Sequence, residues 1–436
     1  MENDPAVVAG EPPVTEARPS IEAPKPEPPE SPSSVLIVAG EASADAHGAR
    51  LVAALKSRRP DIQIFGVGGT AMRGEGLDAI AHAEQISVGG LTEVVFAIPR
   101  IWGISRRLLA AARARKPSVA ILLDLPDFNL RLAKKLKTLG IPVVYYISPQ
   151  IWAWRPKRVE QIRELVSQML VVLPFEAEFY QKHGVRVRFV GHPLVEQLPE
   201  KPDRTKARGE LGMQPTQGPI VALLPGSRRK EVTRHLPMML AAVQLLKREF
   251  PEVHAVIPVA STIPRKLVED LVRKTGQLAT IATTITIVDG QATDTLVAAD
   301  AAVVASGTST LQAALLGRPM VVVYRVSWLT FQILKRLVNV AHIALVNLVA
   351  GRRLVPELIQ NDFTVRNLEK ELRGILSDPA VRVRLSQDFA AVRRQIGGPG
   401  ASSRVADVVM GYLPDTGRGI ALPDRGSSKK PGELWG

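Results

Sequence analysis

The chain has no cysteine, which excludes disulfides, thiolate metal sites and cysteine nucleophiles. Aromatic residues make up only 5% against 46% hydrophobic residues overall, so the apolar content is mainly Val, Leu, Ile and Ala. That balance suits parallel strands buried beneath helices. Long uncharged runs are missing too. The most apolar region, 319–351, is interrupted by Arg325, Lys335, Arg336 and His342, and a membrane-spanning helix is not expected. The amino terminus, Met1-Glu2-Asn3-Asp4-Pro5, has neither the basic nor the apolar region of a secretory signal. Three nucleotide-binding signatures are also lacking: the P-loop, a Gly-x-Gly-x-x-Gly turn after the first strand, and the Asp-x-Asp pair that bridges a metal to a nucleotide sugar.

What is present divides the 436 residues into segments. Residues 1–33 are rich in Pro, Glu and Ala and predict a disordered tail, because they have too little apolar surface to offset the entropy of ordering. They carry seven acids against Arg18 and Lys25, so the formal charge of +14 leaves the rest of the chain near +19. Such an excess favours anionic partners without choosing among phosphates, nucleic acid and an anionic membrane. Residues 34–192 alternate short apolar runs with helical patterns, from Val35–Ala39 through Val119–Leu123, Val143–Ile147, Met169–Leu173 and Val187–Val190. Residues 193–219 break the pattern and read as a linker. A second series follows over 220–363, with runs at Ile220–Leu224, Val253–Pro258, Ile285–Val288, Ala301–Val304 and Met320–Val323. Helices are expected over 364–413 and a second disordered tail over 414–436. The fold class is therefore α/β, with two Rossmann-like domains facing across a cleft.

Ligands of open α/β sheets lie beyond the carboxyl ends of the strands, so the residues after each run carry the chemistry. Leu224-Pro225-Gly226-Ser227-Arg228 ends a strand and opens a helix, offering free N–H groups, a hydroxyl and a guanidinium to an anion. A capped helix with an exposed basic first turn fits the same residues. Ser306-Gly307-Thr308 repeats the arrangement, with Gln312 one turn on, and two such loops in one domain suit a nucleotide diphosphate. In the first domain, Glu41, Ser43 and His47 follow the opening strand, and Gly68 and Gly69 follow the second. Asp124-Leu125-Pro126-Asp127-Phe128-Asn129 brings two carboxylates and an amide to a strand end. Asp127 is read either as a general base for a sugar hydroxyl or as the N-cap of the next helix. Trp152 and Trp154 stand at another strand end, as a platform for sugar or acyl chain or as packing at the domain edge. Two stretches, Val94–Trp102 with Arg106, Arg107, Arg113, Arg115 and Lys116, and Trp328–Leu337, join apolar bulk to positive charge. Either they lie in a membrane interface or they are buried helices with snorkelling basic ends.

Taken in order, Ala39-Gly40-Glu41-Ala42-Ser43, Gly66-Val67-Gly68-Gly69, Pro126-Asp127-Phe128-Asn129, Ser148 to Arg155, Leu173-Pro174-Phe175-Glu176, Gly191-His192-Pro193, Leu224-Pro225-Gly226-Ser227-Arg228 and Ser306-Gly307-Thr308 resemble the lipid-A-disaccharide synthase family over residues 35–395. The resemblance implies an inverting glycosyltransferase of the GT-B fold; the missing Asp-x-Asp pair and the Arg228 loop predict that it needs no metal, and no other cofactor is expected. It implies transfer from UDP-2,3-diacylglucosamine to 2,3-diacylglucosamine 1-phosphate (lipid X), with a β(1→6) disaccharide and UDP as products. It also implies a cytoplasmic enzyme, peripheral on the inner membrane of a Gram-negative bacterium. Carried over residue by residue, Asp127 becomes the preferred base, with Asp124, Glu41 or His47 next in line. Arg228 is assigned to the donor diphosphate, and Asn347 matches the asparagine of the family's Asn-Leu-Leu-Ala-Gly run. Glu41, Ser43, His47, Gly68, Gly69, Asn129, Trp152 and Trp154 fall to the acceptor or acyl-chain region. Ala44, Val346 and Gln312 depart from the family's usual glycine, proline and glutamate, and Gln312 brings no charge to the ribose hydroxyls. A different UDP-sugar enzyme on this fold fits the amphipathic stretches less well. A nucleic-acid-binding role is not expected, because no aromatic-interleaved basic platform accompanies the charge. Whether the enzyme forms a homo-oligomer is left open by the sequence.

Overall fold

The run Ser34–Ala39 forms the first strand, β1, and every residue of it is buried. An unbroken apolar segment has no polar face to offer water and takes a central place in a sheet covered on both sides. The computed structural model describes residues 33–86, 91–214, 218–275, 285–338 and 340–414. Residues 1–32 and 415–436 of the tails expected at 1–33 and 414–436, and the side chains of Val94–Ala97, lie outside the described residues. Strands β2 (Gln63–Gly68), β3 (Asp78–His82), β4 (Val119–Leu123), β5 (Val143–Tyr146), β6 (Gln168–Val171) and β7 (Val187–Phe189) join β1 in a parallel sheet ordered β3-β2-β1-β4-β5-β6-β7. A second parallel sheet holds β8 (Ile220–Leu224), β9 (His254–Val259), β10 (Ile285–Asp289), β11 (Ala301–Ala305), β12 (Met320–Tyr324) and β13 (Glu357–Ile359), ordered β10-β9-β8-β11-β12-β13. The edge strands β3 and β13 carry no sustained apolar run, so the pattern alone did not announce them.

Around the first sheet lie α1 (Ala42–Arg58), α2 (Thr70–Gly74), α3 (Leu91–Arg115), α4 (Pro126–Thr138), α5 (Ile151–Trp154), α6 (Arg158–Leu165) and α7 (Pro174–Lys182). With the second sheet go α8 (Arg204–Glu210), α9 (Arg229–Leu246), α10 (Arg265–Lys274), α11 (Ala292–Ala298), α12 (Thr308–Leu315), α13 (Trp328–Leu337), α14 (Leu345–Ala350), α15 (Val365–Ser377) and α16 (Pro379–Gln395). A last helix, α17 (Ala401–Met410), packs on α1.

Two expected boundaries shift. Half of the expected linker is folded onto the second sheet: Arg204 and Arg208 on α8 both bond the Asp300 carboxylate, which also accepts from Ile220 N at 2.9 Å. Asp300 opens β11, so this cluster fixes α8 against the strand that the second domain is built around. The carboxyl-terminal helices also divide. Leu368, Leu372 and Ile375 of α15 complete the core of the second sheet, whereas on α17 Ser403 and Asp407 meet Arg58 of α1. The chain therefore crosses between the sheets twice. The crossings touch where His192 N donates to Ile396 O at 2.9 Å and where Arg404 donates to Val190 O at 2.7 Å.

Candidate active site

Each sheet reverses its strand order once, between β1 and β4 in the first and between β8 and β11 in the second. Loops leaving such a pair of strands diverge to opposite faces, and the crevice between them is where open α/β sheets bind ligands. In this chain those loops are Gly40-Glu41 with Asp124-Leu125, and Pro225–Arg228 with Ser306-Gly307.

At the first switch point the backbone is strained on purpose-built supports. Asp124 and Leu125 both have φ 48°, a left-handed conformation that costs a non-glycine residue on the order of 1 kcal/mol or more. The Asp124 carbonyl is pinned by Asn129 Nδ2 at 2.7 Å and by the Tyr145 hydroxyl, and both side chains are fully buried. Asn129 Nδ2 also reaches Leu123 O at 3.0 Å. The loops pack closely, since a Cβ on Gly40 would come within 2.6 Å of a Leu125 methyl carbon. Burial, with the Glu41 carboxylate as a second cause, lifts the Asp124 carboxyl from 3.8 to about 6.

This changes several expectations for the first domain. Asp127 is not an N-cap: Leu125 occupies that position, and Asp127 sits in the first turn of α4. Its side chain is 69% exposed and paired with Arg158 at 2.5 Å. Asn129 turns inward to hold the loop and does not line a ligand surface. Gly68 lies within β2 and is buried against Met72 and Leu77. Gly69 N donates to Asp45 at 2.7 Å, and Asp45 also caps Ala71 and Met72, so this carboxylate holds the start of α2. Glu41 and Ser43 are exposed at the start of α1. His47 faces Gln197 at 3.2 Å; burial and Arg50 lower its pKa to about 4, which leaves it neutral at pH 7. Trp152 and Trp154 stand partly exposed on α5 with Arg155 stacked on Trp154, its guanidinium carbon 4.1 Å from the ring centroid.

At the second switch point Gly226 has φ 119°, open to glycine alone, and a Cβ there would meet the Glu231 carboxylate at 2.5 Å. Arg228 is the N-cap of α9 but caps nothing with its side chain, which is 75% exposed and touches Glu231 at 3.1 Å. His235, unmarked in the sequence reading, braces this loop. Its Nδ1 lies 2.8 Å from Pro225 O and its Nε2 accepts from Arg325 N at 3.0 Å, which fixes a neutral ring with the proton on Nδ1. Ser306 donates to Ile343 O at 2.8 Å, while Gly307 and Thr308 are exposed at the amino end of α12. Gln312 donates to Thr293 at 3.0 Å and keeps its carbonyl oxygen as an acceptor.

Asn347 does not reach the site. It is fully buried, donates to Val355 O at 3.0 Å and Glu357 at 2.8 Å, and accepts from Leu354 N and Val355 N. All of its hydrogen-bonding capacity is spent inside the fold. Glu357 in turn holds Ile343 N and Ala344 N, so the pair anchors the loop behind Ser306.

Among the described residues, each amphipathic stretch exposes some of its large apolar side chains. Ile98 and Trp102 on α3 are more than half exposed, as are Trp328 (74%) and Leu329 on α13, beside Arg106, Lys335 and Arg336. Among the described residues no helix is long and apolar enough to cross a membrane.

The profile of the family described as Lipid-A-disaccharide synthetase matches residues 35–404. The chain is 47% identical over 384 residues to lipid-A-disaccharide synthase of Myxococcus xanthus, covering 88% of this chain and 98% of that one. With the Pseudomonas aeruginosa enzyme of the same name it shares 44% over 376 residues, 86% and 97% of the two chains. The chain belongs to the lipid-A-disaccharide synthase family. Its fold is similar to UDP-GlcNAc 2-epimerase from Neisseria meningitidis, solved with UDP-GlcNAc (TM-score 0.60, 11% identity, 87% and 100% of the chains), and to Acinetobacter baumannii MurG (TM-score 0.53, 14% identity, 87% and 100%). These likenesses show the fold alone. As a lipid-A-disaccharide synthase, the chain is a glycosyltransferase of the GT-B arrangement, with one switch point in each of its two sheets.

Proposed function

We propose that the chain transfers 2,3-diacylglucosamine from UDP-2,3-diacylglucosamine to the 6-hydroxyl of 2,3-diacylglucosamine 1-phosphate, with Asp124 rather than Asp127 as the general base. The observation that carries the reading is the half-buried Asp124 carboxylate at a strained switch-point loop. An acid held near a pKa of 6 is ionised at neutral pH yet basic enough to take a proton. Asp127, by contrast, is exposed and already paired with an arginine.

In this reading the hydroxyl oxygen attacks the anomeric carbon as its proton passes to Asp124. The bond from that carbon to the UDP oxygen breaks on the opposite face, so the configuration inverts. Charge then develops on the departing diphosphate. The amino ends of α9 and α12, with free N–H groups at Ser227-Arg228 and Gly307-Thr308, suit that charge, and the exposed Arg228 guanidinium can add a bidentate contact. With these groups the reaction needs no metal. The exposed apolar and basic faces of α3 and α13 suit the cytoplasmic face of the inner membrane, where diacylated substrates reside.

A UDP-release assay in EDTA tests the proposal. Release that depends on diacylglucosamine 1-phosphate, with a disaccharide 1-phosphate detected by mass, supports it. UDP release indifferent to that acceptor, or restored only by Mg²⁺, would overturn it.

A further inference from the structure

Among the described residues of the first domain Glu176 is the most deeply buried acidic side chain, at 2% exposure, and the chemistry above makes no use of it. It sits in the first turn of α7, where one oxygen accepts from Leu173 N at 3.2 Å. That bond is an ordinary cap and works equally well at an exposed position. The other oxygen accepts from Trp152 Nε1 at 3.1 Å, on a different loop. Trp152 also packs edge-to-face on Phe175, with ring centroids 4.8 Å apart. Two neighbouring residues in the first turn of α7 thus fix the indole in both position and tilt.

The far end of the Trp152 loop is bolted to the same helix, because Ser148 Oγ lies 2.8 Å from the hydroxyl of buried Tyr180. The loop leaves β5, which pairs with β4, and Asp124 follows β4 directly. Arg155, just after Trp152, comes within 4.0 Å of Asp127, three residues after Asp124, so the two segments are neighbours. Burying a carboxylate is unfavourable, and here it raises the Glu176 pKa to about 7. A helix cap alone does not require that burial; holding a tryptophan at a fixed tilt does.

We propose that Glu176 is a positioning residue for the acceptor, fixing the Trp152 indole as one wall of the acceptor-sugar site. The inference rests on the reading that the first domain takes the acceptor. The test is steady-state kinetics, varying each substrate in turn, on Glu176→Gln, Glu176→Leu, Trp152→Phe and the Trp152→Phe/Glu176→Leu double variant. Trp152→Phe keeps an aromatic ring but removes the N–H together with the fused five-membered ring.

Trp152→Phe and Glu176→Leu should each raise the acceptor KM about fivefold to tenfold, the scale of one lost hydrogen bond. Donor KM should stay unchanged, and the double variant should be no worse than the single variants. Glu176→Gln, which keeps an oxygen facing the indole, should recover most of the acceptor affinity. Intrinsic fluorescence should change on Glu176→Leu and lose that change in the Trp152→Phe background. Independent effects in the double variant, or a lower melting temperature with both KM values unchanged, would overturn the inference. A coupled rise in donor KM instead would leave the Glu176–Trp152 link standing and refute the acceptor reading of this face.

Discussion

Replacing Asp124 by asparagine separates catalysis from stability, because the two should move in opposite directions. Asparagine tolerates the left-handed backbone at φ 48° and preserves the carbonyl that Asn129 and Tyr145 hold, so the loop should keep its shape. Without a base, kcat should fall about 10²–10⁴-fold. Stability should rise. In the folded enzyme the Asp124 carboxyl ionises near pH 6, against 3.8 when free, because burial first and Glu41 second oppose its charge. The wild type therefore loses stability as pH climbs from about 4 through 6. The loss reaches as much as about 3 kcal/mol above pH 6, and the asparagine variant is spared it. The gain in the variant should be complete above pH 6 and vanish below about pH 4. In the wild type the same titration gives kcat/KM an acid limb, with roughly a tenth of the activity left at pH 5. Glu41→Gln removes one of the two causes and should move that limb to lower pH, while burial keeps it above 3.8. The assays are pH-dependent kinetics and denaturant unfolding on the two variants, with Asp127→Asn alongside. An Asp124→Asn enzyme that keeps more than about a tenth of its turnover, or an Asp127→Asn enzyme that falls as far, would refute the assignment.

Arg228→Ala should lower kcat by about 10²-fold, and Arg228→Lys should stay well below wild type, because a point charge cannot reproduce a planar two-point contact with a diphosphate; kinetics with saturating acceptor check this. Asn347→Ala strips partners from Leu354 N, Val355 N and Val355 O, all behind the Ser306 loop. It should destabilise the fold by about 3 kcal/mol in denaturant unfolding, and Asn347→Asp should do no better because it sets a second carboxylate against Glu357. Replacing Trp328 and Leu329 together by serine should weaken binding to anionic phospholipid vesicles by about tenfold or more in sedimentation assays, with turnover on detergent-dispersed substrates preserved.

The apolar runs at Val35–Ala39, Val119–Leu123, Ile220–Leu224 and Ala301–Ala305 determined two parallel sheets, because a strand with no polar face must be covered on both sides. The breakers and small residues after them located the loops, and the order of short motifs determined the family. Strand order was beyond the sequence, since it depends on which runs pair. Only that pairing put Glu41 beside Asp124 and made one carboxylate of the Asp124–Asp127 pair half-buried and the other exposed. The direction a side chain faces was also a tertiary decision. Asn129 and Asn347 look like ligand-binding amides in a string of letters, but each turns inward because a neighbouring loop has backbone groups that must be satisfied away from water. His235 and Asp300 carried no local signal, and the motif that contains Glu176 did not disclose its role, because each acts on a partner between 10 and 96 residues away along the chain. Motifs are read along the chain, but burial, charge coupling and hydrogen-bond partnership are set by what folding brings alongside.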